Sequence, residues 1–125
     1  MDSARHVLII DDDDLQRMLM SGVLEALKIP WLVAVSGDDA IRVLEEQGET
    51  VSLILMDLAM PLMDGFTLFE KLRALPGTAA IPVVAVTAQE PRIRDQAVAA
   101  GMAAALAKPF TVGEFREIIK THYRG

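Results

Sequence analysis

The sequence predicts an α/β fold: five strand–helix units, (βα)5, forming a doubly wound five-stranded parallel sheet with helices on both faces. Three observations carry that expectation. Short apolar runs alternate with segments of helical period. The runs are continuous rather than alternating apolar and polar, as expected of strands covered on both faces. Most of the helical segments open on a capping residue, and several close on Gly or Pro.

The expected strands are His6–Ile10, Trp31–Val35, Leu53–Met56, Val83–Val86 and Ala104–Ala107. Between the first two, Leu15, Met18, Leu19, Gly22, Val23, Ala26 and Leu27 recur at i, i+3, i+4 spacing and predict one face of a first helix. Ser36-Gly37-Asp38-Asp39 resembles a capping box for a second, with Ala40, Ile41 and Leu44 facing inward. Asp64-Gly65 opens a third helix with Leu68, Phe69 and Leu72 as its stripe, and Pro76-Gly77 stops it. Pro91 starts a fourth, which Gly101 ends. Thr111-Val112-Gly113-Glu114 is a second capping box, followed by the apolar side Phe115, Ile118, Ile119. "GMAAALAK" has the composition of a helix, since Ala favours one. It is assigned to a strand because Gly101 is a helix stop and the fifth unit needs one. Trp31 is expected to anchor the second strand. No linker, repeat or low-complexity stretch divides residues 1–125, so one domain is expected.

With 52% hydrophobic and 24% charged residues in 125, the chain has the composition of a globular domain with a real core. A formal net charge of −6 disfavours nucleic acid as a partner, because phosphate binding needs a basic surface. The absence of cysteine removes disulfides, thiol catalysis and Cys–zinc sites. No apolar run reaches the roughly 18 residues of a membrane helix, and the first ten residues do not read as a signal peptide. A cytoplasmic domain without membrane contact is expected.

In open α/β sheets the working crevice lies beyond the carboxyl ends of the strands, where strand order reverses. Those ends carry Asp11 to Asp14 after the first strand, Asp57 after the third, Thr87 after the fourth and Lys108 after the fifth. Asp13 and Asp14 suit a helix cap and a dipole partner. Asp11, Asp12, Asp57, Thr87 and Lys108 form a constellation of acids, hydroxyl and ammonium drawn from four strand ends.

"VLIIDDDD", "LILMDLAMPLMDG", "VVAVTA" and "AKPF" resemble the receiver domain of two-component response regulators, in order and over essentially the whole chain. The resemblance implies the flavodoxin-like strand order 2-1-3-4-5. It also implies that Asp57 accepts a phosphoryl group from a histidine kinase or a histidine phosphotransfer domain. Asp11 and Asp12 would hold Mg2+ (or Mn2+) together with Asp57 and the backbone carbonyl of Ala59, with Asp12 the direct ligand and Asp11 acting through water. Thr87 and Lys108 would contact the phosphoryl group, with small Ala88 leaving room for it, and the bond before Pro109 would be cis. The output would be a downstream protein or a linked output domain, and the chain would be a switch rather than an enzyme, self-dephosphorylation apart.

The residues suit those roles chemically. Clustered carboxylates repel and call for positive charge; Mg2+ is a hard cation that takes oxygen ligands. A carboxylate is a competent nucleophile, and phosphoryl transfer needs mainly positioning and charge neutralisation. The sequence departs from the family where an aromatic residue often precedes the lysine by three, because that position is Ala105. Ala59 and Gln89 occupy positions that tune phosphoryl lifetime in the family.

Two other classes compete. A small Mg-dependent phosphatase of the haloacid-dehalogenase type also uses an aspartyl phosphate, but would place its nucleophile in the first strand and leave "MDLAMPLMDG" without a task. A receiver-shaped scaffold that is never phosphorylated would have no chemical need for all five site residues. His6 and His122 show no ligand spacing, the seven Met read as packing, and Arg92–Arg94 reads as a solvated helix start.

Overall fold

The computed structural model describes residues 5–125. Strands β1 (His6–Ile10), β2 (Trp31–Ala34), β3 (Val51–Met56), β4 (Val83–Thr87) and β5 (Ala104–Ala107) alternate with helices α1 (Asp14–Ala26), α2 (Gly37–Gln47), α3 (Gly65–Ala74), α4 (Pro91–Ala99) and α5 (Val112–His122). All four strand pairings are parallel, in the order β2-β1-β3-β4-β5. The chain leaves β1 for one edge, returns to β3 on its other side, and thereby reverses direction between β1 and β3.

Successive strand residues point to opposite faces. Leu8, Ile10, Ile54, Met56 and Ala85 pack into a core with Ala40, Val43, Leu44, Leu68, Leu72 and Ala97 from α2, α3 and α4. Val7, Ile9, Leu53, Leu55, Val84 and Val86 pack into a second core with Met20 and Leu24 of α1 and Phe115 and Ile119 of α5. Burial on both faces explains the continuous apolar runs. Trp31 is partly buried against the second core.

The Ala-rich segment is strand β5, paired with β4 from Val84↔Ala104 to Thr87↔Ala107. Gly101 separates it from α4 at φ 115°, a conformation that side-chain-bearing residues rarely adopt. Its N–H donates to Val98 O (3.0 Å) and that of Met102 to Ala97 O (3.1 Å), satisfying the last carbonyls of the helix. Tertiary pairing therefore overrides helix propensity here.

Both arms of the Thr111–Glu114 capping box form. At α2 only one arm does. Ser36 Oγ accepts from Asp39 N (3.1 Å), while the Asp39 carboxylate accepts from Val35 N (3.0 Å) and not from the cap residue itself. Val43 takes the buried place on α2, and Ile41 is only half-buried.

The first helix departs most from expectation. Its buried residues are Met20 and Leu24, whereas Leu15, Met18 and Leu19 are 58%, 66% and 50% exposed. The inward row is Arg17, Met20, Leu24, spaced i, i+3, i+7. Arg17 opens that row with a charge, and apolar counting therefore passes over it. Its guanidinium donates to the Asp11 carbonyl (2.7 Å) and pairs with Asp14, which directs this row toward the sheet.

Candidate functional site

Each functional side chain stands at a strand's carboxyl end because the parallel ladder brings those ends to one edge. Asp11 N donates to Ala34 O (3.1 Å), Asp57 N to Ile10 O (2.9 Å) and Lys108 N to Thr87 O (2.8 Å). These bonds extend the ladder one residue past each strand. The carboxylates are therefore fixed in register before any side-chain interaction is counted.

Asp11 and Thr87 are fully buried, and Asp57 is 8% exposed, in a structure where unpaired buried charge is expensive. Compensation comes from one cation. Lys108 Nζ lies 2.8 Å from Asp11 Oδ2 and 3.5 Å from Asp57 Oδ2. Backbone donors complete the arrangement, with Asp13 N to Asp11 Oδ1 (2.9 Å) and Ala59 N to Asp57 Oδ1 (3.1 Å). One oxygen of Asp57 is thus held by the loop and the other faces Lys108.

Burial pushes the Asp57 carboxyl above its ordinary range. The Ala59 N–H and the Lys108 charge pull it back down, and the neighbouring Asp11 pushes it up further. Among the described residues, Asp11, Asp12 and Asp57 form the one acidic cluster able to hold a metal, each offering an oxygen within 4.8 Å of the others'. All three donors are hard carboxylate oxygens, and burial disfavours the charged form of Asp57. That donor set fits a hard divalent cation such as Mg2+ and does not fit a soft one.

Thr87 closes the other side. Gln89 N donates to its hydroxyl oxygen (3.2 Å), and the hydroxyl reaches Gln89 Oε1 at 3.4 Å. Ala88 and Ala59 are exposed at the mouth, and the Lys108–Pro109 bond is cis. Ala105, where the family often has an aromatic ring, is half-buried and packs against the α2–α4 core. Gly65 is required locally. A Cβ there would lie 2.8 Å from Leu58 Cα and 2.9 Å from Asp57 O, so α3 can start against the end of β3 only without a side chain.

The structure therefore gathers Asp11, Asp12, Asp57, Thr87 and Lys108 at one edge and leaves His6 and His122 away from it, His6 Nδ1 lying 3.2 Å from Thr50 Oγ1. Sequence reasoning missed Arg17, whose guanidinium ties α1 to the Asp11 carbonyl. Its spacing three after Asp14 was the available signal.

This geometry agrees with what the chain is similar to. The family model for the response regulator receiver domain matches residues 7–120, and the chain belongs to that family. Sensor histidine kinase RcsC of Salmonella typhi is 31% identical over 117 residues, 93% of this chain but 12% of RcsC. The autoinducer 1 sensor kinase/phosphatase LuxN of Vibrio harveyi is 33% identical over 114 residues, 90% of this chain and 13% of LuxN. The chain thus spans about an eighth of these curated relatives. The receiver domain of sensor histidine kinase PA1611 from Pseudomonas aeruginosa, whose structure has a magnesium ion coordinated in the active site cleft, superposes with TM-score 0.85 at 26% identity, covering 96% of this chain and 98% of that one. The receiver fold is that of two-component phosphoacceptors, a class distinct from metabolic enzymes. Among the described residues no helix is long and apolar enough to cross a membrane.

Proposed function

We propose that Asp57 is the phosphoacceptor of this receiver domain, with a histidine kinase or a histidine phosphotransfer domain as donor. The observation that carries the reading is the placement of Asp57: one oxygen is anchored by Ala59 N–H and the other faces Lys108 at 3.5 Å, beside the Asp11 and Asp12 carboxylates. The Asp57 oxygen attacks phosphorus, its new O–P bond forming as the bond from phosphorus to the donor nitrogen breaks, and the donor imidazole, carrying a proton on its other ring nitrogen, takes the bond's electron pair and leaves neutral.

Asp11, Asp12, Asp57 and the Ala59 carbonyl would hold Mg2+, which when bound would supply positive charge to offset that of the transferring group. Lys108 would exchange part of its ion pair with Asp11 for the phosphoryl oxygens. The Thr87 hydroxyl, weakly engaged with Gln89, is free to turn and donate to another of them. Ala88 leaves space at the mouth. The added charge biases the β4–α4 segment through Thr87. With Ala105 small, that bias would reach a downstream protein or linked output domain without ring rotation. Water attack on the acyl phosphate would reset the switch. A cytoplasmic location goes with such donors.

Acetyl phosphate with Mg2+ should add one phosphoryl group to the protein, read by intact mass, and Asp57→Asn should add none. An unchanged wild-type mass under saturating donor, or equal labelling of the variant, would sink the proposal. Chelation of Mg2+ should abolish labelling in the wild type.

A further inference from the structure

The edge of the sheet opposite the acceptor site holds a group that phosphoacceptance does not use. At its amino end β3 carries one residue more than β1. His6 pairs with Val51 and Val7 with Leu53, which leaves Ser52 as a β-bulge. Bulges are rare between parallel strands, and they re-aim a side chain at the expense of ladder bonds. Ser52 is 7% exposed, and among the described residues its Oγ has no hydrogen-bond partner. A buried hydroxyl left unpaired is destabilising, so folding alone gives no reason to keep it.

Ser52 stands at the floor of an open cleft of about 500 Å3, a volume in the range of small-molecule sites. Arg5, just before β1, and Arg124, just after α5, bring two guanidiniums to it. The Tyr123 hydroxyl donates to Arg5 O (2.5 Å) and so holds the two ends of the chain side by side there. Among the described residues neither guanidinium is in an ion pair, and Arg124 Nη1 donates only to Tyr123 O (3.1 Å). Glu49, from the turn after α2, adds one carboxylate, and Ile81 with Pro82 forms an apolar wall. A single trapped water would satisfy the Ser52 hydroxyl but would leave both guanidiniums without a task. Two guanidiniums and a hydroxyl together are donors suited to a phosphate. Glu49 keeps the cleft from being a plain anion trap, because it needs a donor on the same ligand.

We propose that this cleft binds a small phosphomonoester carried on a hydroxylated ring, a sugar phosphate or a nucleoside monophosphate. Its phosphate sits on Arg5, Arg124 and the Ser52 hydroxyl, and a ring hydroxyl donates to Glu49. The inference goes beyond phosphoacceptance and does not depend on it. Asp57 follows Ser52 by five residues of extended chain, roughly 16 Å, so the two ligands would occupy opposite ends of one strand.

Amide shifts of the metal-free chain, titrated with ribose 5-phosphate, AMP, inorganic phosphate and ribose, read this site residue by residue. Both phosphomonoesters should move Glu49, Ser52 and Ile81 saturably, and at lower concentration than Asp57 or Lys108; ribose should move none of them. Tighter binding of AMP than of ribose 5-phosphate would assign the cleft to nucleotides, and the reverse to sugar phosphates. Arg124→Gln should weaken either ester by roughly tenfold, as loss of a charge-assisted contact predicts. Ser52→Ala should weaken it severalfold and raise the unfolding temperature of the ligand-free protein, because an unpaired buried hydroxyl is removed. Glu49→Gln should weaken ribose 5-phosphate yet tighten inorganic phosphate, a split that a purely structural role would not produce. Shifts confined to the acceptor site, no saturable shift with either ester, or unchanged affinity in Arg124→Gln would each overturn the proposal. So would destabilisation by Ser52→Ala, which would show that the hydroxyl serves the fold.

Discussion

Helix α3 buries Leu68 and Leu72 completely against the sheet, while α1 leaves Leu15, Met18 and Leu19 half-exposed or more, although both stripes share i, i+3, i+4 spacing. The difference lies in the layers. On one face α3 sits among three helices, strapped toward α4 by Arg73, whose guanidinium donates to Ala100 O (3.0 Å) and lies 5.4 Å over the Phe69 ring. On the other face only α1 and α5 lie, and the start of α5 borders the exposed row of α1 across a groove without covering it. Periodicity states that a helix has an apolar side. How many neighbours are available to cover it is a property of the layer.

The contrast can be tested by truncation. Leu68→Ala should cost about 2–5 kcal/mol in urea unfolding, because it empties a fully buried site in a core that cannot collapse around it. A smaller loss would mean that α3 is loosely packed, and the comparison would weaken. Gly65→Ala should cost about 1–3 kcal/mol, since its Cβ meets backbone at the junction of β3 and α3, and it should slow acetyl phosphate labelling by displacing Asp57. Gly22→Ala, the same change in α1, should stabilise, since a Cβ there would meet nothing within 4 Å and alanine is favoured over glycine in a helix interior.

The caps sharpen the point from the other side. Asp13 accepts from Leu15 N and Asp64 from Thr67 N, so Asp13→Ala and Asp64→Ala should each cost about 1 kcal/mol in thermal unfolding. Equal losses would show that the two helices are alike locally and differ only in tertiary cover.

At the end of β3 a change of opposite sign is expected. Burial raises the Asp57 value above its ordinary 3.8, so ionising it destabilises the fold. That penalty is absent below about pH 3.8, grows as pH rises, and is complete above the raised value in the folded state. Asp57→Asn should therefore raise the unfolding temperature of the metal-free protein at pH 7, and the gain should vanish on acidification. Lys108 keeps its closer partner Asp11 in this variant. The smallest effect belongs to α1: Leu19→Ala should change stability by no more than about 0.5 kcal/mol, measured in urea titrations.

Much of the site was legible because its residues follow apolar runs directly. Asp11, Asp57, Thr87 and Lys108 each end a strand, and a parallel sheet must bring those ends to one edge. The Thr111 capping box was legible for the same local reason. Arg17 was legible only as the i+3 partner of Asp14, and that spacing does not say that its guanidinium also turns back to a strand-end carbonyl six residues earlier. Nor could spacing alone tell that the Gln89 backbone N–H donates to the Thr87 hydroxyl oxygen.

The sequence by itself determined the alternation of elements, their caps and stops, and the set of polar groups left at strand ends, because each depends on neighbours along the chain. The tertiary structure alone decided which side of α1 faces the sheet, that Ala104–Ala107 pairs as a strand, and that one lysine sits 2.8 Å from one buried acid and 3.5 Å from another. Those outcomes depend on what lies across space. Burial, ladder pairing and charge compensation act between residues that spacing along the chain does not relate.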